Sequence, residues 1–185
     1  MERTFVRNRW TDPIELRESF EVWALGLDAL GHGTHSGRQI RQLARPVGCW
    51  HHQLSFGGRA AAFARSSSSP LTGEHQLEEL FISPLTQAIH EGIGRLDQNA
   101  KPEEHVRLLT VPACHLHAFW LEDEELKSRL MVIDVTGSAP EDRRHTVLGL
   151  ARFQIHDESE FLRSLRSAVA PVGVLLGGTR VLTRA

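Results

Sequence analysis

The chain has 185 residues, 41% hydrophobic and 24% charged, which fits one folded domain over residues 1–185 with a core of its own and excludes wholesale disorder. Twenty-one basic and twenty-three acidic side chains leave a net charge of −2, too balanced for general attraction to nucleic acid or an anionic membrane. No apolar run approaches the roughly 20 residues of a membrane span. Cys49 and Cys114 are the only cysteines, so the expected compartment is a reducing cytoplasm.

Lysine occurs only at Lys101 and Lys127 and tyrosine not at all, so arginine carries nearly all the positive charge, a bias expected of a bacterial genome rich in G and C. The eleven histidines are the one compositional excess with chemical content, and several come in pairs: His32/His35, His51/His52 and His115/His117.

In chain order, Asp12-Pro13-Ile14-Glu15 has the form of a helix start, with an N-cap acceptor, a proline at the first helical position and a glutamate for the capping box. Leu16, Phe20, Trp23, Leu27 and Leu30 follow at helical spacing, which predicts a helix over 13–30. Gly31-His32-Gly33-Thr34-His35 is expected to be a turn.

Residues 48–66 are expected to form a β-hairpin about Gly57-Gly58, since two glycines accept the positive φ of a tight turn. A two-residue loop pairs Phe56 with Arg59, Leu54 with Ala61, His52 with Phe63 and Trp50 with Arg65. Trp50, His52, Leu54, Phe56 and Phe63 then share the expected core face, and Cys49, His51 and Gln53 point away.

Residues 74–98 carry helical spacing in two pieces, the second starting at Ser83-Pro84. Gly92 and Gly94 each weaken that helix by roughly 1 kcal/mol relative to alanine, so close packing against a sheet is expected. Residues 106–136 hold the densest apolar run. Pro112 breaks it, and a strand over 114–121 is apolar on both faces, as a central strand would be. The acidic turn at 122–125 then returns the chain through Val132, Ile133 and Val135, completing a hairpin.

A strand over 147–155 and a helix over 158–169, stopped by Pro171, complete the predicted elements, with 172–185 a tail or extra hairpin. Strands close in sequence favour an α+β fold, an antiparallel sheet built from hairpins and packed by amphipathic helices. Neither GxGxxG nor GxxxxGK[ST] occurs, which argues against dinucleotide redox work and nucleotide hydrolysis.

A strand HxH delivers two imidazoles to one side, so His115 and His117, joined by His52, form a candidate three-ligand centre for zinc or a similar divalent metal. Cys49, His51 and Cys114 form the competing set. Asp134 is the candidate catalytic carboxylate, able to orient a ring or act as base beside His115 or His117, or to pair with an arginine. The plainer reading of these histidines is structural, with ring nitrogens bonded inside the fold. Lacking a strong catalytic signature, the chain is expected to be a non-catalytic adaptor of the bacterial cytoplasm that binds another protein or itself, with no cofactor. The alternative is a small metal-dependent hydrolase using the His52, His115 and His117 cluster. Nucleic acid and membrane are not expected partners.

Overall fold

The computed structural model describes residues 14–30, 38–57, 59–69, 72–135, 146–147 and 149–176. Its strands are β1 (Ile14–Ala24), β2 (Arg45–Phe56), β3 (Arg59–Ser68), β4 (His75–Phe81), β5 (His105–Val111), β6 (Leu116–Glu122), β7 (Ser128–Val135), β8 (Thr146–Val147), β9 (Leu150–Ala151) and β10 (Ile155–Asp157). Two short helical turns, α1 (Leu27–Leu30) and α2 (Ile40–Leu43), precede the longer helices α3 (Pro84–Asn99) and α4 (Glu158–Leu176). Eight strands form one sheet in the order β10-β7-β6-β5-β1-β2-β3-β4, and β8 and β9 form a small separate pair. The fold is therefore α+β, with a mixed and mostly antiparallel sheet. The exception is β1 beside β5, where Val22 pairs in parallel with Leu108.

The densest apolar stretch becomes the middle of the sheet. β6 pairs antiparallel with β5 and with β7, and its side chains alternate between two cores. Leu116, Ala118 and Trp120 join Leu109, Val111, Leu130 and Val132 beneath α1, α2 and α4, whose Phe161, Leu162 and Leu165 fill the same cluster. Phe119 and Leu121 join Phe20, Val22, Leu108, Met131 and Ile133 on the other face, against Ala88, Ile89, Ile93 and Leu96 of α3. This helix touches strands as far apart as β3 and β7. Its 16 residues, rising about 1.5 Å each, reach the span of the five intervening strand spacings of about 4.8 Å. Gly92 makes the close approach possible, since a Cβ there would meet Phe119 at 2.8 Å, whereas one at Gly94 would meet nothing within 4 Å.

Several expectations are corrected. Residues 14–24 are a strand rather than the first part of a helix over 13–30, and only Leu27–Leu30 is helical. The helical spacing of Leu16, Phe20 and Trp23 coexists with the alternation of buried Phe20 and Val22, and β1 finds ladder partners on both sides, in β2 and β5. The Asp12-Pro13 cap and the turn at 31–35 lie outside the described residues. The first part of 74–98 is likewise a strand, β4, which pairs with β3, and the helix begins after Ser83. In place of one strand over 147–155 there are β8, β9 and β10, the last paired with β7. Helix α4 continues through Pro171 to Leu176, beyond the expected 158–169, and residues 177–185 lie outside the described residues. No described helix is long and apolar enough to cross a membrane.

The hairpin at 48–66 is present, with its register displaced. A shift between Leu54 and Ser55 pairs Leu54 with Ala62, Gln53 with Phe63, His52 with Ala64 and Trp50 with Ser66. The buried face is also the opposite of the expected one. Cys49, His51, Gln53 and Ser55 are buried, while Trp50, His52, Leu54 and Phe56 are only half-buried.

Candidate functional site

Two features separate from this frame: a pocket on the α3 face and an apolar surface on the opposite face. The pocket lies where α3 begins and has a volume of about 240 Å³. Strands β1 to β6 contribute to it because a sheet face gathers every second side chain of each strand. Cys49 and His51 enter from β2, Phe63 and Arg65 from β3, Thr110 from β5 and His117 from β6, with Leu85 closing the helix side. Phe63 meets the His51 ring edge-on with centroids 3.9 Å apart and stacks on Phe81 at 4.8 Å.

His51 is 8% exposed, and neither of its ring nitrogens has a hydrogen-bond partner among the described residues. Burial is the main cause holding its pKa down to about 3, reinforced by His117, Arg65 and His52. Burial also depresses the pKa of His117, against the opposing pull of Asp134. His117 Nδ1 has no partner among the described residues either. Both rings are therefore neutral at pH 7, and a neutral imidazole offers one donor and one acceptor. Burial raises the Cys49 thiol, partly offset by Arg65, so this sulfur is no ready thiolate. Arg65 bonds to Glu78 at 3.1 Å and also to Glu79.

The residues singled out from the sequence are distributed as follows. His117 lines the pocket. A register shift between His117 and Ala118 sets Asp134 opposite His117 on β7. Asp134 is buried, and Arg152 lies 3.9 Å from its Oδ1, an electrostatic contact too long for a hydrogen bond. His52 is on the opposite sheet face, held between Ser19 Oγ at 2.8 Å and Ser66 Oγ at 2.7 Å. His115 leaves the strand altogether: it caps the 3-10 turn Pro112–Cys114 with φ 50° and is exposed. His52, His115 and His117 thus do not share one face. Of the competing set, Cys49 and His51 reach the pocket, and Cys114 packs instead against the core under α4. Among the described residues, no group of three or more His, Cys, Asp or Glu side chains is arranged to hold a metal ion. The pocket thus draws His117 from one sequence-derived set and Cys49 and His51 from the other. Phe63, Arg65 and Thr110 were missed as site residues, and only the strand register reveals them.

The second feature is the outer face of β1 to β4. Cross-strand partners share a face, which places Ile14 with Phe56, Leu16 with Leu54, Leu80 with Ala64 and Leu77 with Ser66 on the side occupied by His52. Leu77 is 70% exposed, Leu80 58% and Ile82, just past β4, 81%. Ile14 and Leu16 are similarly exposed. Among the described residues β4 is also the end of the sheet, with no strand paired to its outer side.

Comparison of the chain with protein-family models, curated proteins and solved structures gives no match.

Proposed function

We propose that this chain is a non-catalytic accessory protein of a bacterial cytoplasm that docks another polypeptide on the outer face of β1 to β4 and along the free edge of β4. The carrying observation is the exposure of Leu77 and Leu80 on β4 and of Ile82 just past it, with Ile14 and Leu16 exposed on β1 at the far side of the same face. Contiguous exposed apolar side chains mark interaction surfaces, and an open edge strand is a template for strand addition. The edge is poorly protected: β4 reads His-Gln-Leu-Glu-Glu-Leu-Phe, and Arg65 already engages both glutamates. An extended partner segment with alternating apolar residues would pair with β4 and cover Leu77 and Leu80 with the same contacts.

The test places a photo-crosslinking residue at position 80 in source cells and, as control, at exposed position 127. The expected result is one cross-linked protein partner from position 80, lost when Leu77→Glu and Ile82→Glu are added, and none from position 127. Equal labelling from both positions, no labelling, or a cross-link only within or between copies of this chain overturns the reading.

A further inference from the structure

The pocket at the start of α3 is on the other side of the sheet from the docking face, and its chemistry points elsewhere. We propose that it binds a neutral, ring-sized molecule carrying a hydroxyl group, held between His51 and His117. Three observations define this ligand class.

The first is size. A cavity of about 150 Å³ lined by apolar side chains accommodates benzene, so the pocket of about 240 Å³ has room for one ring with small substituents. The second is wall chemistry. Val22, Leu85 and Leu108 supply aliphatic contact, and the stacked Phe63 and Phe81 provide aromatic surface, which favours a flat ring in offset or edge contact. The third is polarity. Both His51 nitrogens and His117 Nδ1 are buried without partners among the described residues, and a buried polar group left unsatisfied costs about 1–3 kcal/mol. A hydroxyl both donates and accepts, so it matches neutral imidazoles. Arg65 is the one charged side chain among the pocket-lining residues, and its pairing with Glu78 and Glu79 leaves an anionic ligand without a free counter-charge. Among the described residues, no carboxylate lines the pocket to receive a cation. Neutrality follows from these two facts.

Phenol, toluene and benzoate are the probes, titrated into the full chain at pH 7 while the histidine ring nitrogens are followed by NMR. Phenol is expected to move the His51 and His117 signals. Toluene, equal in size but without the hydroxyl, should bind about tenfold more weakly, and benzoate more weakly still. His51→Leu should bring phenol down to the affinity of toluene. Leu85→Trp, at a half-buried position on the pocket wall, should abolish binding of both probes and serves if His51→Leu does not fold. Equal affinity for phenol and toluene, signals unmoved by any probe, or phenol binding that survives Leu85→Trp overturns the proposal. Leu77→Glu on the docking face should leave phenol binding unchanged, so failure of either reading is distinguishable from failure of the other.

Discussion

The β5–β6–β7 block and the β2–β3–β4 block are both antiparallel, yet they are built on different terms. In the first, helices lie on both faces, and Leu109, Leu116, Phe119, Trp120, Leu121 and Met131 are fully buried. In the second, among the described residues, only the α3 face is lined by a helix, and the side chains facing it include Cys49, His51 and Gln53. The more apolar residues of that hairpin, Trp50, Leu54 and Phe56, face the other way. Apolar composition therefore marks the core in one block and a half-buried outer face in the other. Coverage by helices decides which.

The largest expected effect follows from that difference. Trp120 is fully buried, donates from Nε1 to Ser128 Oγ at 3.0 Å, meets Trp23 edge-on at 5.4 Å and lies 4.8 Å from the Arg107 guanidinium. Trp120→Ala should cost roughly 3–5 kcal/mol in urea unfolding, whereas Leu80→Ala on β4 should change stability by no more than about 0.5 kcal/mol. Comparable losses at the two positions would remove the distinction between the blocks.

The same difference governs what the sequence disclosed. β6 and β7 were legible because a strand apolar on both sides has a single favourable place, the middle of a covered sheet. The Ser83-Pro84 helix start was also legible, since it rests on local backbone chemistry, and of the two glycines read as marks of close packing Gly92 meets Phe119 while Gly94 meets nothing within 4 Å. β1 and β4 were not, because Leu16, Phe20 and Trp23, like Leu77, Leu80 and Phe81, fit a helical repeat. Their strand character depends on distant partners such as Leu108. The candidate site was half legible. Asp134 was read as a neighbour of His115 or His117 or as the partner of an arginine, and it is His117 that it opposes in register. His51 was assigned to the wrong face because hydrophobicity placed Trp50 and Leu54 inward, and no local signal marks their face as uncovered.

Acid should weaken the polar block through His51. Its folded pKa lies near 3 and the unfolded value is 6.5, so the folded state binds fewer protons than the unfolded one between them. The stabilisation from keeping this ring neutral is fully present above pH 6.5 and is lost as pH falls toward 3. One proton gives about 1.4 kcal/mol per pH unit, or roughly 2–3 kcal/mol between about pH 6.5 and 4.5. The charges of His117 and Arg65 beside the ring, and of His52 on the opposite face, act in the same direction. His51→Leu should flatten the pH dependence of urea stability by about that slope. An unchanged slope would show that the ring protonates equally well in the folded chain.

Helix α3 offers a comparison within one element. Gly92→Ala drives a methyl to 2.8 Å from the buried Phe119 ring, so it should cost about 1–3 kcal/mol despite the better helix propensity of alanine. Gly94→Ala meets nothing within 4 Å and should stabilise by roughly 0.5–1 kcal/mol. Opposite signs two residues apart in thermal unfolding are the expected result, and equal signs would mean that α3 does not approach β6 at Gly92.

The smallest effect on stability carries the most functional weight. Leu77→Ser with Leu80→Ser changes two exposed side chains on the edge strand, so the unfolding free energy should stay within about 0.5 kcal/mol of the parent. Their exposed apolar surface nevertheless remains in water in the isolated chain, and removing it should lower the weak, non-specific association that an apolar patch shows at high concentration when its partner is absent. Sedimentation of parent and variant at matched concentrations separates two uses of a hydrophobic side chain. A residue that supports its own fold loses stability when made polar. A residue kept for a partner loses association and leaves the fold intact. If the double variant unfolds more readily and associates as before, Leu77 and Leu80 belong to the core of this chain, and the outer face of β1 to β4 is not a docking surface.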